Sequence, residues 1–175
     1  IQAIQTLWAG PWMLNITGYT PLQSATGLFW INITMLISFL IWGYVLPKIS
    51  EYGISSIKLI KLGLPISYFS LFLIIYFGNN AGAFLFTLYI MTSIVISLTQ
   101  PAIALNFSKN LAGKSLTSYN VFLFSGTFFM QWGIGLVIDL CNNNGFDIVS
   151  SYRISFSVFL IPVSYTHLTL PTNGT

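Results

Sequence analysis

Neutral amide and hydroxyl side chains recur at helical spacing along this sequence, and they are the groups best suited to bind a small solute. Asn120, Thr127 and Gln131 fall on one face of a helix, because seven and then four residues separate them. Ser97 and Gln100 share a face in the same way. The residues predicted to line a cavity are Gln5, Trp8, Asn32, Gln100, Asn120, Thr127 and Gln131.

The same side chains have a second interpretation, in which they hold helices together. Asn120 and Gln131 can bond to a neighbouring helix, an interaction worth about 1 kcal/mol inside a membrane. Gln100 precedes Pro101, whose missing N–H favours a bend in the helix. Tryptophans also anchor helix ends at a membrane surface. Those that could either anchor an end or stack on a solute are Trp8, Trp12 and Trp132.

Ionisable side chains are missing from the middle of every long apolar run. Cys141 is the only cysteine and His167 the only histidine, so the sequence lacks the clusters that bind metals or form disulfides. The six lysines and arginines are spread along 175 residues and form no basic patch. The sequence therefore predicts no catalytic residue, no metal or cofactor site and no binding of nucleic acid.

The overall composition places these polar groups in a membrane. Hydrophobic residues make up 55% of the chain, charged residues only 5%, and the mean hydropathy is +0.80. A water-soluble domain usually carries about a quarter charged residues. A helix needs roughly 20 apolar residues to cross the hydrocarbon, so the chain has room for five or six. We expect an all-α, polytopic transmembrane bundle with the lipid bilayer as its main partner.

Breaks in the apolar runs divide the chain into helices. Four complete spans are predicted at residues 22–46, 62–77, 82–107 and 116–140, after an incomplete helix that ends near residue 14. Pro47 is predicted to end the first complete span, and Gln100–Pro101 to interrupt the third. A last helix is predicted to begin at Tyr152.

Lysines orient this arrangement. They fall in the loops predicted at 47–61 and 108–115, whereas the loops between, 15–23 and 78–81, carry no charge. Positive residues concentrate in cytoplasmic loops, so we expect the lysine-bearing loops to face the cytoplasm. These lysines are Lys48, Lys58, Lys61, Lys109 and Lys114.

Three segments resemble the major facilitator superfamily of bacterial transporters. Residues 5–12 resemble its seventh transmembrane helix, and residues 107–140 its tenth-to-eleventh helix region. Residues 43–48 resemble its Gly-x-x-x-Asp-Arg loop motif. Gly43 is in place, Lys48 replaces the arginine, and Pro47 stands where the aspartate belongs.

The resemblance implies a fold and an activity. The chain would supply helices seven to twelve, the C-terminal half of a secondary transporter in the bacterial inner membrane. Its partner would be a missing N-terminal six-helix half, and its substrate a small molecule moved by alternating access. The helices numbered seven, eight, ten and eleven would line the cavity.

Domain organisation follows from the same comparison. Residues 1–162 are interpreted as the transmembrane half, and residues 163–175 as a non-native tail that looks like translated adapter sequence. The alternatives are a non-transporting membrane module, such as a channel or assembly subunit, and a membrane-embedded enzyme. An enzyme would need embedded His, Asp or Glu, and outside the tail the spans offer none.

Overall fold

The computed structural model describes the backbone of residues 3–168, and the side chains up to residue 160 except at residue 109. Within this part of the chain every element is helical and no strand occurs. A π-helical segment, Ile4–Trp8, leads into α1 (Ala9–Asn15). The elements that follow are α2 (Pro21–Glu51), α3 (Ser56–Phe77), a 3₁₀ turn (Gly78–Asn80), α4 (Ala83–Ser93), a 3₁₀ segment (Ile94–Leu98), α5 (Thr99–Asn106), α6 (Lys109–Asn143) and α7 (Ile148–Leu168).

The four predicted spans are confirmed. Among the residues that the structure describes, four helices are long and apolar enough to cross a membrane: Pro21–Glu51, Ser56–Asn80, Ala83–Asn106 and Asn110–Asn143. Large apolar side chains on their outer faces are exposed, including Phe84, Phe122 and Phe129. A surface of this kind suits lipid, and on a water-soluble monomer it would be an aggregation site. The protein is an all-α bundle embedded in a membrane.

The helices begin where side chains can satisfy free backbone N–H groups. Thr20 starts α2 with a capping box, in which its hydroxyl accepts from the Gln23 N–H at 3.3 Å and the Gln23 amide accepts from the Thr20 N–H at 2.9 Å. Ser55 starts α3 by accepting from the Lys58 N–H. Gly53, with φ of +76°, makes the turn between the two helices.

The predicted loops at 47–61 and 108–115 are wrong in extent. α2 continues through Pro47 to Glu51, α3 begins at Ser56, and α6 begins at Lys109. Gly43 and Lys48 therefore lie in a helix and not in a loop. Pro47 removes only the hydrogen bond to the carbonyl of Gly43, and the helix continues for four more residues to Glu51.

The interruption of the third span also differs from its predicted position. It occupies Ile94–Leu98, one turn before Gln100 and Pro101. A proline ring meets the carbonyl four residues earlier, here that of Ser97, and displaces it. The irregular turn consequently forms on the N-terminal side of Pro101, while α5 continues regularly beyond it.

Short connections make successive spans run in opposite directions. α3 packs along α4, α5 along the start of α6, and α6 along α7. The α2–α3 and α5–α6 connections therefore share one end of the bundle, called here the lysine end. The α1–α2, α3–α4 and α6–α7 connections share the other end.

The tightest part of the core lies near the end opposite the lysines. Trp12 is fully buried and stacks on Phe156, with ring centroids 5.0 Å apart. Phe86 and Tyr152 pack edge-on against the same indole. Arg153 donates to the Tyr76 carbonyl at the end of α3, where a positive charge complements the helix dipole.

Candidate solute-binding cleft

A partly open cleft of about 330 Å³ lies among three of the long helical spans and the π-helical segment. The π-helical segment, α2, the α4–α5 span and α6 all contribute lining residues, whereas α3 and α7 contribute none among the side chains described. The polar side chains on its wall are Gln5, Ser93, Ser97, Gln100, Tyr119 and Asn120. Apolar side chains, among them Phe39 and Phe124, complete it.

The π-helical segment presents Gln5. A π-helix widens each turn by one residue and is frequently found at functional sites. Gln5 is only 5% exposed, and its amide Nε2 donates to Oδ1 of Asn32 at 3.4 Å. Asn32 in turn donates to the Leu28 carbonyl. Asn32 thus stands behind Gln5 and orients it, and does not itself line the cleft.

The 3₁₀ segment forms the facing wall. Ile94, Ile96 and Ser97 line the cleft from this irregular turn. α3 supports the turn from behind, because Gly63 allows a very close approach: a Cβ at Gly63 would lie 2.6 Å from Cγ1 of Val95. The π-helical segment and the 3₁₀ segment therefore both border the cleft.

Three polar side chains on the wall keep their hydrogen-bonding capacity. Within the part of the chain that the structure describes, the side chains of Ser97, Gln100 and Asn120 have no hydrogen-bond partner. Ser93 differs, because its hydroxyl donates to the Ile90 carbonyl at 3.2 Å. An unbonded amide at membrane depth is costly unless a solute or water reaches it.

The remaining predicted cavity residues form a separate contact between helices. The Trp8 indole donates to the Gln131 carbonyl at 3.2 Å, and the Gln131 amide donates to the hydroxyl of Thr6 at 2.8 Å. Thr127 bonds to the Leu123 carbonyl of its own helix. None of Trp8, Thr127 and Gln131 lines the cleft. Trp8 and Gln131 tie the π-helical segment to α6, which is the packing role.

Trp12 and Trp132 also lie outside the cleft, one in the core and one on the outer surface. Trp12, considered above as a stacking or anchoring residue, is fully buried in the aromatic core and does neither. Trp132 is 59% exposed on the outer face of α6, a position that suits a membrane anchor.

Sequence reasoning missed two aromatic lining residues. Phe39 lies seven residues after Asn32, so extending the Asn32 face along α2 by two turns identifies it. Tyr119 precedes Asn120 and was hidden because the two residues lie about 100° apart around a helix.

The chemistry of the site is that of neutral groups. No cluster of His, Cys, Asp or Glu among the described residues could hold a metal ion. No known protein family, characterised protein or solved structure matches this chain. The resemblance to the major facilitator superfamily accordingly stays a prediction.

Proposed function

We propose that the chain is the C-terminal half of a secondary transporter that moves a small solute across the bacterial inner membrane by alternating access. The observation that carries the proposal is the cleft, because it places unbonded amides and a hydroxyl between three membrane-spanning helices and the π-helical segment. Helices that only support one another tend to bond such groups internally or replace them with apolar ones.

The two irregular segments support the same interpretation. Transporters commonly build their binding sites from interrupted helices near the middle of the membrane. Here Ser93 ends α4 near the midpoint of its span, and the 3₁₀ segment follows at once. On this proposal a second six-helix half faces the cleft, and the two halves rock about the solute.

The lysine positions support an orientation. On this proposal the end that bears Lys48, Lys58 and Lys114 faces the cytoplasm, in accordance with the positive-inside rule. In a background whose native cysteines, including Cys141, are replaced by serine, a cysteine placed at the exposed Tyr52 should then react with a membrane-impermeant maleimide only in inverted vesicles, and one placed at Asn79 only in intact cells. The reverse labelling would overturn the orientation.

Transport is tested by counterflow in cells that express the complete reading frame. A carrier exchanges labelled solute against a gradient of unlabelled solute and saturates, whereas a channel does neither. We expect Asn120→Leu to abolish exchange, because it removes an unbonded amide of the cleft. Asn110→Leu is the matched control, since Asn110 lies on the same helix outside the cleft. Equal exchange by both variants at equal expression would contradict the proposal.

A further inference from the structure

The wall of the cleft carries no charge. None of its described lining residues is Asp, Glu, Lys, Arg or His. A charged solute buried there would lose its hydration and meet no opposite charge, which is strongly unfavourable at membrane depth. The wall that this chain contributes therefore offers no compensating charge to an ion of either sign.

The polar groups that are present both donate and accept hydrogen bonds. Each amide, at Gln100 and at Asn120, offers two donor hydrogens and a carbonyl oxygen, and the Ser97 hydroxyl offers one donor and two acceptor positions. Hydroxyl and amide groups on a solute have the same dual character, so they can satisfy these side chains without leaving a donor facing a donor.

Aromatic rings stand beside these amides. Phe124 is 64% exposed and lies one turn from Asn120 on α6, and Phe39 faces the cleft from α2. A ring face favours contact with a flat apolar surface of about its own size. The solute should therefore combine hydrogen-bonding edges with an apolar face.

The volume sets a minimum size for the site. About 330 Å³ is at the lower end of the range for small-molecule sites, and on the proposed function the facing half of the transporter encloses the rest of the site. Since a water molecule occupies roughly 30 Å³ of the liquid, the part bordered by this chain already accommodates a solute of about ten non-hydrogen atoms.

From these four features we infer that the cleft selects an electroneutral solute with several hydroxyl or amide groups, of the size of a monosaccharide, a cyclic polyol or a small aromatic amide. This inference rests on the proposed transport function. It goes beyond that function by assigning the chemical class of the solute and the side chains that select it, Ser97, Gln100 and Asn120.

Counterflow in proteoliposomes of the complete protein tests the class. Glucose, inositol, xylitol and nicotinamide are the neutral probes. Gluconate and glucosamine are close to glucose in size and carry a negative and, in mildly acidic buffer, a positive charge, and glutamate and putrescine extend the charged set. We expect exchange of at least one neutral probe, at a rate at least about tenfold above that of every charged probe, because charge burial is so unfavourable.

Changing the charge of the wall should change the preference. Asn120→Asp keeps the shape of the side chain, and we expect it to lower glucose exchange and raise the ratio of glucosamine to glucose by about tenfold. Gln100→Glu places the same charge at an exposed position, so it keeps the test valid if Asn120→Asp does not fold. Asn110→Asp, outside the cleft, should leave the ratio unchanged.

The outcomes separate the two proposals. Saturable exchange of gluconate, glucosamine, glutamate or putrescine faster than any neutral probe would overturn the inference and leave the transport function standing. Neutral exchange whose selectivity neither acidic variant alters would overturn the assignment of the selecting side chains. If no probe of either class exchanges, or if flux fails to saturate, both proposals fail.

Discussion

The two ends of this bundle are built from the same helices in opposite ways. Near the α6–α7 connection, Trp12, Phe86, Tyr152 and Phe156 fill the space between α1, α4 and α7 with rings in contact. From mid-membrane toward the lysine end, the same α1 and α4 continue as π and 3₁₀ segments and diverge around a cleft. One region is closed by packing, and the other retains unbonded amides.

The difference shows how a membrane protein can combine a rigid support with a polar site. Within lipid, close packing supplies most of the association between helices, since burying apolar surface adds little. The aromatic end provides this packing. Irregular turns at the other end keep the backbone bonded while they separate the side chains, so a cleft forms without breaking either span.

The largest effect is expected from breaking the aromatic end. Trp12→Ala removes a fully buried indole that contacts three rings, and should lower the free energy of unfolding by about 3–5 kcal/mol. Trp132→Ala, on the exposed face of α6, should cost less than about 1 kcal/mol. Denaturant titration in mixed micelles measures both. Equal losses would show that the aromatic end is not the rigid region.

A smaller loss is expected where α3 supports the 3₁₀ segment. Gly63→Ala puts a Cβ 2.6 Å from Cγ1 of Val95, so overpacking should cost about 1–3 kcal/mol. Gly113→Ala, which meets nothing within 4 Å, should instead stabilise α6 by about 0.5–1 kcal/mol through helix propensity. Adding Val95→Ala to Gly63→Ala should recover much of the loss. The same denaturant titration measures these variants. If Gly63→Ala leaves the free energy of unfolding unchanged, α3 does not hold the 3₁₀ segment in place.

The smallest effect concerns the start of α7, beside the aromatic end. The Ser150 side chain and N–H lower the pKa of Asp147, whose Oδ2 accepts from the Ser150 N–H at 3.1 Å. Because the folded pKa lies below the unfolded value of 3.8, this stabilisation is present above that pH and is lost as the pH falls through the folded pKa.

NMR titration of the Asp147 carboxyl carbon tests this effect. The midpoint should lie below 3.8 in the folded protein and move back toward it in Ser150→Ala, because that substitution removes the hydroxyl that contributes most to the shift. Asp147→Asn should make the stability of the first turn of α7 independent of pH in this range. A midpoint at or above the ordinary value would contradict the bond.

Part of the cleft was predictable from residue types. Gln5, Gln100 and Asn120 were expected to face a cavity, and the structure brings all three to the same cleft. Thr127 and Gln131 share a helical face with Asn120 but lie at a different depth, where Gln131 meets Thr6 instead of the cleft. Helical periodicity specifies a face and leaves open which neighbour lies opposite each turn.

The sequence by itself determined the class of fold. Long apolar runs must become helices in lipid, because the backbone has no other hydrogen-bond partner there. The prolines did not predict the helix ends. Pro47 lies inside a regular α-helix, whereas an irregular turn precedes Pro101, although each proline follows a similar apolar run. Only the tertiary structure decided that Trp12 is core, that Gln131 is a packing contact and that Asn120 remains unbonded. Those outcomes depend on which helix stands opposite each side chain, and contacts between residues so far apart in the chain are set by the packing of the whole bundle.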